Sequence, residues 1–280
     1  MKKRYLTLLP YLLFLIPVTI LTLYPIVYVI LGSFKSNPEL VLGGINLFPK
    51  KFIFQNYVDA WRMANFMRYT WNSIFLSVSV MVGTLFIASM TGYCFARKNF
   101  PGKKIFLGFL IAFMFISIGS VSLRPLFDLA VKLNLHTSLL GVILISIGNE
   151  QARNIFLAMS YIRTIPKELD EAAIMDGCNL FRIYWNIILP LMKPMLATIS
   201  VLSFRTGWNE YILPLVFTMA RPDLRPLTVG VISLKFTQDG AAAWNIMFAG
   251  CVLSIVPILI VFIFANRYFF SGMTSGAMKG

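Results

Sequence analysis

The sequence is poor in charged residues, and its acidic residues are especially few. Only 13% of its 280 residues are charged and 58% are hydrophobic, whereas an ordinary soluble domain carries about 25% charge. The mean hydropathy is +0.76, which also excludes a disordered chain, because disorder needs low hydrophobicity. A membrane-spanning helix needs about 20 mostly apolar residues. The composition therefore predicts an integral membrane protein with several spans.

Cysteine and histidine are too sparse for most metal or nucleophile chemistry. The three cysteines, Cys94, Cys178 and Cys251, lie far apart, match no metal-ligand spacing and cannot complete a disulfide framework. We interpret them as small apolar packing residues. His136 is the single histidine, so no Ser-His-Asp grouping is expected around it. The sequence predicts no metal site and disfavours a membrane-embedded enzyme.

The phosphate-binding motif G-x-x-x-x-G-K-[ST] is absent, so ATP chemistry would have to come from a partner. The 25 basic residues exceed the 11 acidic ones and give a net charge of +14. Such a charge is also typical of nucleic-acid-binding proteins. However, 12 of the basic residues flank predicted membrane spans on the inner side. Membrane topology explains the charge better, and no nucleic-acid partner is expected.

Six long apolar runs are the main feature of the chain, and we expect an all-α integral membrane fold with six transmembrane helices. Their lengths, and the absence of strict alternation, favour helices over an outer-membrane barrel. The first run continues to about Leu31. It is longer than the apolar core of a signal peptide and is interpreted as a retained span. The predicted spans are about 6–33, 71–95, 105–130, 138–162, 187–218 and 244–266.

Basic residues in the connections predict the orientation. With the N-terminus in the cytoplasm, the inner segments hold 12 Lys and Arg in 52 residues, and the outer segments hold 9 in 69. The inner segments are 1–5, 96–104, 163–186 and 267–280, and the outer segments are 34–70, 131–137 and 219–243. The higher inner density predicts that both termini are cytoplasmic.

The inner segment 163–186 contains a short acidic helix. Pro166 suits a first helical turn, where a missing N–H costs nothing, and three acidic residues that follow it complement the helix dipole. Leu169, Ala172, Ala173 and Asp176 are spaced to share one face, and Gly177 ends the helix. Such a helix could dock in a groove of a partner protein. A solvated helix that contacts only its own chain explains the pattern equally well.

The same segment resembles the signature of ABC importer permeases, EAA---G---------I-LP. The residues that match it are Glu171, Ala172, Ala173, Gly177, Ile187, Leu189 and Pro190. The C-terminal stretch Arg267–Gly280 is similar to the ending of carbohydrate-type permeases related to the second, shorter permease of maltose-type transporters. The likeness extends over nearly the whole chain, through Trp208-Asn209-Glu210, Asp223–Leu227 and Phe54–Asp59.

The resemblance implies a type I importer permease domain over residues 1–280, placed in the bacterial cytoplasmic membrane. It implies a second, similar permease as heterodimer partner and two ATPase subunits, which bind ATP and Mg²⁺, so the chain itself needs no cofactor. It also implies an extracytoplasmic binding protein that delivers a sugar to the outer loop 219–243. Carried over by motif position, the ATPase-coupling residues are Glu171, Ala172, Ala173, Asp176 and Gly177. Glu171 is the expected ion-pair partner of a basic residue on the ATPase.

Polar residues in or near the spans are costly in hydrocarbon and should face protein or water. Glu150 and Arg153 could neutralise each other, whereas Arg205 and Asn209 share a face with Trp208 beside it. This combination suits a sugar path, although helix–helix hydrogen bonding explains it nearly as well. The candidate path residues are Arg124, Glu150, Arg205, Trp208, Asn209 and Glu210.

Arg124 and Arg205 depart from the family pattern, which usually has aliphatic residues at these positions. We hypothesise that their guanidinium groups pair with an anionic substrate group such as a uronate or phosphate. The rival explanation is pairing with Glu150, Glu210 or the partner permease. A stand-alone secondary transporter or channel remains the alternative function, but it leaves the acidic helix unexplained.

Overall fold

The computed structural model describes residues 2–44, 46–116, 119–236 and 242–277. Parts of the predicted outer loop 219–243 and of the C-terminal likeness therefore lie outside the described residues, at 237–241 and 278–280. The described backbone is almost entirely helical, with one antiparallel bridge between Phe236 and Ala242. The helices are α1 Lys2–Gly32, α2 Asn37–Leu42, α3 Gln55–Met63, α4 Phe66–Arg97, α5 Lys103–Phe115, α6 Leu123–Lys132, α7 Leu139–Ile162, α8 Glu168–Met175, α9 Leu180–Ile183, α10 Leu189–Leu191, α11 Lys193–Asn209, α12 Ile212–Phe217, α13 Leu227–Ser233 and α14 Trp244–Ala277.

The chain divides into two compact units by packing. The first unit comprises residues 1–68 and 229–257, and the second comprises 69–228 and 258–280. The second unit contains the predicted coupling segment 163–186 and all six candidate path residues. The assignment of residues 1–280 to one permease domain stays a prediction.

Two helices of the described chain are long and apolar enough to cross a membrane, Leu13–Gly32 and Phe66–Arg97. A third span is possible where two helices, Leu180–Leu191 and Lys193–Asn209, meet at a bend of 79°. The helix α7 agrees closely with the predicted run 138–162, whereas α14 begins with the predicted run 244–266 but continues beyond it to Ala277. The count of six spans stays a prediction.

Two predicted spans are wrong as continuous helices. The run 105–130 breaks after Phe115, and a 3₁₀ turn containing Gly119 precedes α6. Gly119 has φ +57, a left-handed conformation that glycine adopts without steric cost. The run 187–218 breaks before α11 and again at Glu210, whose backbone is extended. Proline residues at 190, 194 and 214 contribute to these breaks, because each lacks the N–H of a regular helix.

In the first unit, buried amides tie the end of α1 to α3 and α14. The Asn56 amide nitrogen donates to the carbonyls of Ser33 and Lys35 at 2.8 and 2.9 Å. Its amide oxygen accepts from the Asn245 side chain at 2.8 Å. These bonds satisfy two carbonyls of the segment that directly follows α1, as buried backbone groups require.

In the second unit, glycines allow α4 to approach its neighbours closely. A Cβ added at Gly92 would lie 2.8 Å from the Ala158 Cβ of α7, and one added at Gly207 of α11 would lie 2.8 Å from the Ser77 Cα of α4. Small residues are typical of membrane helix contacts, where packing replaces the hydrophobic effect. The helix α7 also packs against α5, α11 and α12. This bundle positions the candidate site.

Candidate functional site

The acidic helix predicted within 163–186 is α8, Glu168–Met175. Pro166 lies just before the N-cap residue Lys167 rather than in the first turn. The Lys167 carbonyl accepts hydrogen bonds from the backbone N–H groups of Asp170 and Glu171. The first turn holds Glu168, Asp170 and Glu171, which complement the positive end of the helix dipole.

Gly177 ends α8 by a specific backbone geometry. Its φ is +78, and its N–H donates to the Ile174 carbonyl at 3.0 Å. The next N–H, of Cys178, donates to the Ala173 carbonyl at 2.9 Å. These two bonds form a Schellman motif, in which the left-handed position favours glycine. The glycine of the signature thus fixes where the chain leaves α8.

The predicted face of α8 is only partly exposed. Three of its four residues, Leu169, Ala172 and Asp176, are exposed, whereas Ala173 is buried together with Asp170. Asp170 has buried polar partners, so its side of the helix is turned inward. Glu171 and Gly177 are also exposed, so the exposed part of α8 is acidic.

Asp170 is held by two residues from the end of α4. The Arg97 Nε lies 3.0 Å from the Asp170 Oδ2, and the two side chains are 4% and 13% exposed. The Tyr93 hydroxyl donates to the Asp170 Oδ1 at 3.1 Å. Arg97 also donates through Nη2 to the Ile165 carbonyl at 2.7 Å. Oδ1 of Asp170 and Nη2 of Arg97 are thus hydrogen-bonded, whereas Nε and Oδ2 meet as an ion pair without hydrogen-bond geometry, and Nη1 is buried without a hydrogen-bond partner. The two buried charges are paired, as their burial requires.

A buried core joins α8 to the membrane helices. It contains Ala173 of α8, Ile183 of α9, Tyr93 of α4 and Ala158 of α7. Within it the Ser89 and Tyr184 hydroxyls are 2.7 Å apart. These contacts pack α8 directly against the ends of α4 and α7.

The chain after α8 passes through a cap and a widened turn. The Asn179 side chain accepts from the Arg182 N–H at 2.9 Å and caps α9. Residues Tyr184–Ile188 form a π-helical turn that ends two residues before Pro190. The proline ring would clash with the carbonyl four residues earlier, that of Asn186, in a regular α-helix. The widened turn explains how the I-LP part of the signature fits into a helix.

At the opposite end of α11 a cavity of about 420 Å³ is lined by Arg205, Asn209 and Glu210. Arg205 and Asn209 share the helix face that opens into it. The Glu210 carboxylate accepts from the Leu213 N–H at 3.4 Å, and its carbonyl accepts from the Thr228 hydroxyl at 2.9 Å. No described carboxylate pairs with the Arg205 guanidinium. The cavity therefore presents a positive charge beside an amide and a carboxylate.

Trp208 does not line this cavity. Its side chain is buried, and its ring stacks on Phe204 with centroids 5.8 Å apart. Trp208, predicted to lie beside the face of Arg205 and Asn209, is thus turned away from the cavity that these two residues line. Trp208 and Phe204 instead fill the inner side of α11.

Arg124 is exposed and paired within its own helix. Its Nε lies 3.1 Å from the Asp128 Oδ1, and the two side chains are 85% and 52% exposed. Arg124 lies in α6, after the break in the predicted span 105–130, and it pairs with Asp128 rather than with Glu150 or Glu210. The i,i+4 spacing of Arg124 and Asp128 signals this pair in the sequence, but it was missed.

Glu150 pairs with Arg153 on α7, one of the two explanations considered for this charge. Its backbone carbonyl accepts from the Asn154 amide at 2.9 Å. Both side-chain polar atoms of Gln151 and the Ser146 hydroxyl are buried without a hydrogen-bond partner.

In the described parts of the chain, no three His, Cys, Asp or Glu side chains group as a metal site requires.

Several known proteins are similar to this chain in sequence and in fold. Residues 85–275 match the family described as "Binding-protein-dependent transport system inner membrane component". The chain is 35% identical to the arabinooligosaccharides transport system permease protein AraQ of Halalkalibacterium halodurans over 267 residues, 94% of this chain and 93% of the relative. It is 34% identical to AraQ of Bacillus subtilis over 271 residues, 96% and 94% of the two chains.

A crystal structure of a bacterial ABC transporter involved in the import of the acidic polysaccharide alginate contains a chain of similar fold. It superimposes with a TM-score of 0.79 at 26% identity and covers 96% of this chain and 98% of that one. The family match spans well over half of the chain, and it includes α8 and the cavity at Arg205. The chain therefore belongs to the family of inner membrane components of binding-protein-dependent ABC transport systems.

Proposed function

We propose that this chain is the membrane-spanning permease subunit of an ABC importer that moves a sugar or oligosaccharide into the cytoplasm. The observation that carries the proposal is α8, whose acidic face with Glu171 and Ala172 is exposed while Asp170 and Ala173 are locked into the chain. A helix built in this way offers a surface to a partner and a rigid connection to the bundle. The relatives named for arabinooligosaccharide transport support the sugar class.

The partners of this proposal are two ATPase subunits, a second homologous permease and an extracytoplasmic binding protein. The ATPase subunits bind ATP and Mg²⁺ and dock against Glu171, Ala172 and Asp176, whereas Ala173 and Gly177 position α8. The proposed arrangement has six spans with both termini in the cytoplasm. The binding protein delivers the sugar to the outer loop 219–243. The chain itself is a transport subunit and not an enzyme.

The packing of α8 supports a mechanism for coupling. Closure of the ATPase pair pushes α8, and the push reaches α4 through the Asp170–Arg97 pair and reaches α7 through Ala173 and its buried neighbours. The bend between α10 and α11 separates this inner end from the cavity at Arg205. We propose that rocking of these helices exposes the cavity alternately to the outside and to the cytoplasm.

The cavity supports an acidic sugar as one substrate class. Arg205 has no carboxylate partner among the described residues and lies beside Asn209, which can hydrogen-bond sugar hydroxyls. A guanidinium group pairs bidentately with a carboxylate such as that of a uronate. The transporter of similar fold is named for import of an acidic polysaccharide. The proposed path therefore contains Arg205, Asn209 and Glu210, with Trp208 supporting α11 from inside.

We expect Arg124 and Glu150 to contribute less than Arg205 to binding of the substrate in the proposed path. Each pairs with an oppositely charged residue on its own helix, Arg124 with Asp128 and Glu150 with Arg153. A substrate would have to compete with these pairs. We therefore propose that their contribution to the path is secondary to that of Arg205.

The test is ATP hydrolysis by the assembled complex in liposomes, with and without the sugar-loaded binding protein. The chain is co-expressed with its genomic neighbours and carries Glu171→Lys. We expect this variant to lose the stimulation of ATP hydrolysis by the binding protein, while the chain itself stays folded in the membrane. Glu168→Lys is the matched control, because Glu168 is an exposed acid of the same first turn but lies outside the signature.

Equal effects of the two charge reversals would contradict the assignment of the contact to Glu171. If no ATPase co-purifies with wild type, and the chain alone moves solute along an ion gradient, the importer proposal is wrong. The stand-alone secondary transporter would then be the correct function.

A further inference from the structure

The turn between α4 and α5 concentrates positive charge near α8. It carries Lys98, Lys103 and Lys104, directly after the Arg97 that holds Asp170. Residues 60–127 contain no Asp or Glu. Within the described chain, no carboxylate forms an ion pair with these three lysines. Their charge is therefore available to an external anion.

This turn forms a cavity of about 460 Å³. Its lining residues are Asn99, Phe100, Gly102, Lys103, Lys104 and Ile105. The Lys103 Nζ donates to the Lys98 carbonyl at 2.6 Å and to the Asn99 Oδ1 at 3.4 Å, which holds that ammonium group against the turn. Lys104 is exposed, and the N-terminal end of α5 adds further positive potential. The cavity is large enough for a phosphate group with its glycerol.

An apolar surface continues directly from this cavity. Ile105, Phe109 and Phe113 follow at four-residue spacing on α5, and all three side chains are exposed. Residues at this spacing lie on one side of a helix. A free phosphate ion would make no contact with this apolar surface. A phospholipid has an anionic head group next to its acyl chains, just as the basic cavity lies next to the apolar side of α5.

We propose that the turn 97–104 and the exposed side of α5 form a binding site for an anionic phospholipid. The lipid phosphate lies between Lys103 and Lys104, and the acyl chains lie along Ile105, Phe109 and Phe113. Basic pockets at membrane helices bind anionic head groups by this kind of complementarity. Because Arg97 belongs to the same turn, the bound lipid also restrains the residue that anchors α8.

The placement of this lipid in the cytoplasmic leaflet rests on the proposed function, which places α8 in the cytoplasm. Binding of the lipid does not depend on it. The experiment therefore measures bound lipid directly, without ATP hydrolysis or transport. A failure of the lipid site is then distinguishable from a failure of the importer proposal.

The full chain, in its purified complex, is delipidated and titrated with short-chain phosphatidylglycerol or phosphatidylcholine, and bound lipid is counted by native mass spectrometry. The variant is Lys103→Gln/Lys104→Gln. Its control, Lys50→Gln/Lys51→Gln, removes a lysine pair that lines a cavity of similar size, about 520 Å³, but has Glu39 beside it. Assembly of both variants is checked by size-exclusion chromatography.

We expect wild type to prefer phosphatidylglycerol, and the Lys103/Lys104 variant to bind it about thirtyfold more weakly. The control should bind as wild type does, and added salt should weaken wild-type binding. Three results would each overturn the proposal: equal binding of the two lipids by wild type, equal losses in variant and control, or displacement of the lipid by inorganic phosphate. If the variant fails to assemble, the lipid preference of wild type and the salt dependence of its binding still test the proposal.

Discussion

The Arg97 guanidinium and the Asp170 carboxylate form a buried ion pair that fastens α8 to the end of α4, with Nε 3.0 Å from Oδ2. Asp170 lies inside the acidic helix that the family signature marks, but it is not one of the signature residues. Its role is to orient α8, so that Glu171 and Ala172 face outward. The contact surface and its attachment thus come from neighbouring residues on opposite sides of one short helix.

We expect Asp170→Asn to loosen α8 and to lower the midpoint of thermal unfolding. Removing one partner of a buried ion pair costs about 3–5 kcal/mol, because the other charge stays buried and unpaired. Unfolding is followed by tryptophan fluorescence in detergent. Coupling is followed by binding-protein-stimulated ATP hydrolysis, which should fall as well.

The control for Asp170→Asn is Asp128→Asn, which breaks an exposed ion pair with Arg124. Exposed pairs contribute only about 0–1 kcal/mol, so this variant should unfold near the wild-type temperature. Equal shifts in the two variants would show that burial of the Arg97–Asp170 pair is not what stabilises α8.

Gly177→Val should weaken the end of α8 through the backbone alone. A Cβ at Gly177 meets no atom within 4 Å, but the residue has φ +78, where a side chain costs about 1–2 kcal/mol. Gly177→Asn should cost less, because asparagine tolerates this conformation. The readout is the rate of protease cleavage after Lys167 or Arg182.

Gly108→Ala in α5 is the matched substitution for Gly177, since its Cβ also meets no atom within 4 Å and its φ lies outside the left-handed region. The rate of cleavage after Lys167 or Arg182 should be the same in Gly108→Ala as in wild type. If Gly177→Asn and Gly177→Val are cleaved equally fast, the left-handed conformation is not the determining factor.

Gly92→Leu should separate α4 from α7 beside the anchor of α8. Even a Cβ would lie 2.8 Å from the Ala158 Cβ and 3.0 Å from the Met159 nitrogen, so a larger side chain forces the helices apart. Overpacking of this kind costs about 1–3 kcal/mol. The unfolding midpoint measures it, with Gly148→Leu as control, because Gly148 of α7 has no neighbour within 4 Å of an added Cβ.

Arg205→Leu should impair uptake of an acidic oligosaccharide more than uptake of a neutral one of equal length. Loss of a charged hydrogen bond costs about 1.5–3 kcal/mol, or roughly tenfold or more in half-saturation. Uptake is measured with labelled sugars in proteoliposomes that contain the whole complex. Arg124→Leu, which removes an exposed arginine already paired with Asp128, should change the preference less than Arg205→Leu does. Equal uptake of acidic sugar by wild type and Arg205→Leu would refute the pairing.

Local patterns were sufficient to predict α8 and its C-terminal end. Three acids near the start of the helix and Gly177 at its end act within one or two turns, so the sequence shows them directly. The pair of Arg124 and Asp128 is equally local, and the i,i+4 rule predicts it once both residues are considered. The apolar runs likewise predict the positions of α1, α4 and α7, whereas α14 continues beyond its predicted run.

The tertiary structure alone decided which side of α8 faces inward. In the sequence, Asp170 cannot be distinguished from the other acidic residues of the first turn. Only in the folded chain does Tyr93, 77 residues away, donate to it and Arg97 pair with it. The burial of Trp208 against Phe204 was likewise a matter of packing between helices. Patterns along the chain were sufficient for α8, for the signature and for the class of protein, but not for the breaks within 105–130 and 187–218. The burial of a charge, and the direction in which a short helix faces, depend on residues that only folding brings together.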